Sequence, residues 1–201
     1  IVVLGAGKAV FPMAHALEEV LGERITRGRI VTKYGFSGRL RHVEILEAGH
    51  PIPDDASLRA AQEIGALADE ADESTLVIVL ISGGGSALLA SPADFGDEPL
   101  TLADKQAATK LLLESGATIN EINCIRKHCS GIKGGRLARR ISPASFITLI
   151  LSDVVGDNLN AIASGPTVGD STTYEEALAI VRRYALEKRL PPAVLSLLKK
   201  G

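Results

Sequence analysis

Leu76-Val77-Ile78-Val79-Leu80-Ile81, followed at once by Ser82-Gly83-Gly84-Gly85-Ser86, decides the fold. The first six residues are continuously apolar and mostly β-branched, the pattern of a strand buried on both faces, as in the middle of a parallel sheet. The polar, glycine-rich segment that ends it lies where such sheets bind ligands, outside the carboxyl ends of the strands. Working outward, the same unit recurs. Ile1 to Leu4 is a short strand closed by Gly5-Ala6-Gly7-Lys8, and Val10, Ala14, Leu17 and Leu21 then recur at helical spacing. Arg29 to Thr32 and Val43 to Glu47 read as further strands, and Phe146 to Leu151 as another buried one, ending in Ser152-Asp153.

Helices fill the intervals. Asp54 or Asp55 can cap one whose apolar side holds Leu58, Ala61, Ala68 and Ala71, and Thr101 with Asp104 opens another that Gly116 stops. Between Ile119 and Arg140 the spacing predicts two short helices broken around Ser130-Gly131, and two more carry Tyr174 to Tyr184 and Val194 to Leu198. Strands alternating with helices predict an α/β fold, a Rossmann-like three-layer α/β/α sandwich with a mostly parallel sheet. Gly5 to Lys8, Ser82 to Ser86 and Ser152 to Asp157 should then line one crevice.

Composition excludes several functions. The chain has 201 residues, 46% hydrophobic, with 22 Lys plus Arg against 24 Asp plus Glu for a net charge of −2, so a strongly basic nucleic-acid binder is ruled out. Aromatics at 3% and no Trp leave little for base stacking. No apolar run approaches a membrane span, no basic, apolar leader opens the chain, and its only cysteines, Cys124 and Cys129, are too closely spaced within one predicted helix to suggest a disulfide. A reducing cytoplasm is the expected compartment. One large domain is the default for this length, and a start on Ile1, already inside a strand, reads as a piece of a longer chain.

The loops point to anions. Glycines in Gly5-Ala6-Gly7-Lys8 would let backbone N–H groups approach an anion at a helix start, where Lys8 opposes the helix dipole and so reads as a ligand contact. A tight turn with a solvated lysine is the plain alternative. The P-loop pattern fails, because Ala9 follows Lys8, and so does the dinucleotide fingerprint, with Val10 in its third small-residue position and Lys33 where an acid belongs. Ser82, Gly83, Gly84, Gly85 and Ser86 make a second cradle, and Leu88 breaks a nucleophile elbow at Ser86. Arg126, Lys127 and Lys133 form the densest basic stretch, a candidate clamp for phosphate or carboxylate, with a solvated helix face as the alternative. Asp153 and Asp157 are the carboxylates expected to support magnesium, and Gly165 lies in a rigid Ser164-Gly165-Pro166-Thr167 turn nearby. His15, His42, His50 and His128 show no metal-ligand spacing and read as structural or surface residues.

Taken together, Gly5 to Ala9, Glu47-Ala48-Gly49-His50-Pro51 with Pro53-Asp54, Ile81 to Leu88, Arg126-Lys127-His128 with Ile132 to Gly135, and Leu151 through Asp157 to Thr167 resemble the glycerate 2-kinase family. In that family an N-terminal Rossmann-like domain precedes a smaller MOFRL domain, and residues 1–201 resemble the first, without its preceding helices or the second domain. The resemblance implies ATP-dependent phosphorylation of D-glycerate to 2-phosphoglycerate with Mg2+, Lys8 as the key active-site residue, and small-molecule partners rather than nucleic acid or membrane. It leaves a homo-oligomer open. An NAD(P)H-dependent hydroxypyruvate reductase, a name relatives also carry, and a non-catalytic anion-binding domain are the alternatives.

Overall fold

A computed structural model describes residues 1–95, 98–152 and 156–201. Five parallel strands form one sheet in the order β3-β2-β1-β4-β5: β1 (Val2–Ala6), β2 (Arg27–Lys33), β3 (Val43–Ala48), β4 (Leu76–Ser82) and β5 (Ser145–Leu151). This is the Rossmann-like architecture expected from the alternation of strands and helices. The helices are α1 (Val10–Leu21), α2 (Asp55–Asp69), α3 (Gly85–Leu88), α4 (Leu102–Glu114), α5 (Ile119–His128), α6 (Arg136–Ile141), α7 (Tyr174–Arg183) and α8 (Pro192–Lys200).

The sequence starts four of its helices with side-chain caps. Asp54 with Ser57, Thr101 with Asp104, Thr118 with Glu121 and Thr173 with Glu176 each form a reciprocal capping box at the starts of α2, α4, α5 and α7. Each box satisfies two orphan donors, and losing such a cap costs about 1 kcal/mol.

Alternation along β1 and β4 divides the core. Leu4, Val77, Val79 and Ile81 pack under α2, α3 and α6 on one face, and Val3, Ile78 and Leu80 pack with Val10 and Ala14 of α1 on the other. A separate helical core, built on Leu112, Ile125, Val181, Leu186 and Val194, joins α4, α5, α7 and α8.

β5 departs from expectation. It pairs in register with β4, from Leu76 opposite Ser145 to Ser82 opposite Leu151, but it is the edge strand. Phe146, Ile147, Leu149 and Leu151 are 39%, 51%, 43% and 55% exposed. Ile147 and Leu149 lie on the α1 face beside Ile78 and Leu80, and α1 packs over β1, β2 and β4 instead. The apolar run is a strand, as predicted; α6 touches it and Ile150 packs into the core, but Ile147, Leu149 and Leu151 on the other face stay exposed.

Candidate active site

Strand order reverses between β1 and β4, so the chain leaves those neighbours in opposite directions and opens a crevice at their carboxyl ends. The two loops that flank it are tied to each other. Lys8 N donates to Gly83 O (2.9 Å), Ala9 N to Ser82 Oγ (3.0 Å) and Gly7 N to Val31 O (3.1 Å). The amide cradle expected at Gly5 to Lys8 is therefore already filled by the protein. Gly5 is inside β1, where a Cβ would stand 2.9 Å from Leu80 O. Gly7 has φ 149° and room for no side chain, since a Cβ would lie 2.1 Å from Ser82 Oγ. These glycines and the buried Ser82 serve the close approach of two loops, and what the first loop presents to solvent is the exposed Lys8 side chain.

Gly84, at φ 85°, is the residue around which the second loop turns into α3. A Cβ there would meet His50 Nε2 at 2.9 Å and Lys8 Cγ at 3.1 Å, so Lys8 and His50 flank the same glycine. Gly85 is buried against Ala6 O, and Ser86 Oγ lies 2.9 Å from Ser164 Oγ. His50 is a further candidate that spacing rules for metal ligands could not find; its signal was its place in the Gly49-His50-Pro51 segment after β3.

The three cations of the basic stretch separate. Lys133 is fully buried, and its Nζ donates to Ser86 O (2.8 Å) and Leu89 O (2.9 Å). Burial, with no carboxylate to offset it, pushes its pKa well below the ordinary value. Lys133 is thus a tether beneath the Ser82–Ser86 loop and not the clamp expected of it. Lys127 is also not free to clamp a ligand, because it is buried and ion-paired with Asp170, which also accepts from Thr172 Oγ1 (2.6 Å) and N (2.9 Å). Burial opposes the Asp170 charge, but the bonds from Lys127 and Thr172 outweigh it and hold this carboxyl below its usual range. Arg126, about 100° around α5 from its neighbour, points elsewhere. It lines a cavity of about 480 Å3 with Gly83, Gly84, Ser86, Asn123 and Ser164.

One wall of that cavity is a left-handed turn. Ala163, Ser164 and Gly165 have φ of 51°, 61° and 58° in succession. The left-handed region costs an L-residue roughly 1–2 kcal/mol, so the turn needs support. Gly134 N and Gly135 N supply it by donating to Ser164 O (3.1 Å) and Gly165 O (2.8 Å), and Leu137 N donates to Pro166 O (3.1 Å). Gly165 accordingly shapes the turn, and Ser164 carries the polar group that faces the cavity. Strain concentrated at such a place is a mark of functional sites. Asp157 is exposed at φ 48°, beside Asn158 on the cavity wall, and Asp153 lies outside the described residues. Among the described residues no three His, Cys, Asp or Glu side chains gather into a metal-binding group. A second hollow, about 770 Å3, is lined by His128, Arg139, Asp170, Tyr174 and Glu175, and Asp170 is already paired with Lys127.

Lys105 of α4 is a half-buried residue whose ammonium donates to Ser91 O (3.1 Å) and Cys129 O (2.9 Å), and withdrawal of that group from water pushes its pKa from 10.5 down to about 7. In the window between those two values the unfolded chain binds more protons than the folded one, so stability rises with pH. Relative to Lys105→Met, we expect the folded protein to gain up to about 1.4 kcal/mol per pH unit there. Below about pH 7 the difference should level off, both states being protonated. Urea titrations at several pH values measure this, and a difference that stays flat would show that Lys105 does not change its ionisation on folding.

Comparison with known proteins adds relatives over the full length of the chain. A "putative hydroxypyruvate reductase" of Agrobacterium vitis is 50% identical over 200 residues, which are 100% of this chain and 50% of that protein. A "glycerate 2-kinase" of Pyrococcus horikoshii is 47% identical over 199 residues, covering 99% of this chain and 44% of that protein. Among solved structures, a crystal structure of glycerate kinase from Thermotoga maritima superposes with a TM-score of 0.91 at 44% identity, covering 99% of this chain and 47% of that one. The chain thus spans about half the length of the relatives it matches. A family model matches residues 1–199, and on that match the chain belongs to the family described as domain of unknown function DUF4147.

Proposed function

We propose that the full-length protein phosphorylates D-glycerate to 2-phosphoglycerate with ATP, and that this chain supplies the phosphoryl-transfer side of the cleft. The observation that carries the reading is the placement of Lys8 and His50 against Gly84 at the β1–β4 crevice, with Arg126 lining the cavity beside the same loop. Phosphoryl transfer asks for positioning and charge neutralisation more than for covalent chemistry, and flexible cations at the ends of buried strands meet that need. In this reading Lys8 stabilises charge on the transferring group or orients the glycerate carboxylate. The Ser82–Ser86 loop, held from below by Lys133, sets the distance between the two reactants. Magnesium fits as a partner brought by the nucleotide, because the ion usually takes one or two carboxylates plus phosphate oxygens; Asp157 and Asp153 are the carboxylates offered, and bound there it would neutralise phosphate charge.

The reductase name carried by the Agrobacterium relative would require a nicotinamide site. β2 ends on Lys33, whose ammonium lies 3.5 Å from the Phe36 ring centroid, and not on the acid that holds a ribose diol in dinucleotide folds. That favours the kinase reading. Cys124 and Cys129 are both free and buried, and among the described residues no helix is long and apolar enough to cross a membrane, which fits our reading of a cytoplasmic enzyme acting on small molecules. The decisive experiment gives the full-length protein ATP, magnesium and D-glycerate and identifies the product by NMR. We expect 2-phosphoglycerate; oxidation of NADH or NADPH by hydroxypyruvate, with no phosphorylated product, would replace this reading with the reductase one.

A further inference from the structure

We infer that the cavity lined by Arg126, Asn123, Ser86 and Ser164 is a phosphate subsite, separate from the Lys8 side of the glycine loop and not the seat of the glycerate carboxylate. Among the described residues its lining contains one arginine, three asparagines and two serines but no aspartate or glutamate. Among the described residues the Arg126 guanidinium makes no hydrogen bond or ion pair, although it is largely withdrawn from water. A desolvated charge without a partner is costly, and it persists most readily where a ligand supplies the missing anion.

Number and direction of donors select the anion. Ser164 is fully buried and Asn123 nearly so, and the hydroxyls of Ser86 and Ser164 with the Asn123 amide form a short chain (2.9 and 3.4 Å) along one wall. The guanidinium fork stands on another. Because the Ser164 hydroxyl donates to Asn123 Oδ1 and Ser86 to Ser164, the donors left for a ligand are the Asn123 NH2 and the Arg126 fork. A flat carboxylate can satisfy the fork alone, whereas the fork with a second amide donor suits a tetrahedral group with three strong acceptor oxygens. The surrounding potential agrees. Behind the wall, buried Lys133 and half-buried Lys105 have main-chain carbonyls as their hydrogen-bond acceptors. Burial is the main force pushing both down, and the Arg126 charge adds to it in each case. A dianion would relieve that mutual repulsion more than a monoanion does.

The inference deepens the kinase reading, and rests on it only for where the phosphate comes from: the nucleotide tail or the phosphorylated acid. The test is calorimetric binding of ATP, 2-phosphoglycerate and D-glycerate, each alone, to full-length wild type, Arg126→Gln and Arg126→Lys. We expect Arg126→Gln to weaken at least one phosphate-bearing ligand by about 10- to 100-fold and to leave glycerate unchanged. Arg126→Lys should recover part of the loss, since it keeps the charge without the fork. Weakening of ATP alone assigns the nucleotide tail, and weakening of 2-phosphoglycerate alone assigns the product phosphate. Loss of glycerate binding with both phosphate ligands intact would overturn the inference, as would no change in any ligand. If Arg126→Gln does not fold, the same comparisons with Arg126→Lys decide. A wild type that binds phosphate ligands through Arg126 yet turns over no glycerate would sink the kinase reading and leave the subsite standing.

Discussion

Lys8→Ala in the full-length protein should lower kcat with ATP and D-glycerate by about 100- to 1000-fold, the usual effect of removing one preorganised electrostatic contact to a transition state. The side chain is exposed at the crevice and stands just before α1, where a positive charge works against the helix dipole. Its backbone N–H is already engaged by Gly83 O, so truncation should leave that main-chain tie in place while it removes the ammonium and its stem. Steady-state kinetics check this, with a thermal melt as control. A variant that keeps wild-type kcat would remove Lys8 from the chemistry. Lys8→Arg should recover only part of the rate, because a planar fork does not replace a compact point charge.

Gly7→Ala should be the most damaging single methyl in the molecule. Its Cβ would stand 2.1 Å from Ser82 Oγ, 2.7 Å from Ser82 O and 2.8 Å from Ser82 N, at a φ of 149° that L-residues avoid. Overpacking and backbone strain together should cost about 3–5 kcal/mol, read as a fall in the midpoint of chemical denaturation. Ser82→Ala should not rescue it: the hydroxyl contact goes, but the two main-chain contacts stay, and Ala9 N loses its acceptor. Full rescue by that second change would mean that side-chain crowding alone required glycine.

Much of the fold was legible because its signals are local. Apolar runs marked all five strands to within two residues, and Thr101 with Asp104 marked the start of α4 from a capping pattern alone. What escaped depends on neighbours far along the chain. Phe146 to Leu151 looks the same whether a helix covers it or not, so its exposure could not be read. Gly5 and Gly7 carry the mark of an anion loop, yet the same mark is left by two strands whose loops must touch. Within Arg126-Lys127, a rotation of one residue decides which charge meets Asp170 and which meets the cavity. Asn123 and Ser164 gave no warning at all, since a lone polar residue in a helix or a turn has no pattern around it.

The tether under the glycine loop has an evolutionary consequence. Both acceptors of Lys133 are main-chain oxygens, of Ser86 and Leu89. Every amino acid offers the same oxygen, so drift in the side chains at positions 86 and 89 leaves the tether intact. The loop can therefore change its chemistry without losing its footing, and the constraint falls on position 133 by itself.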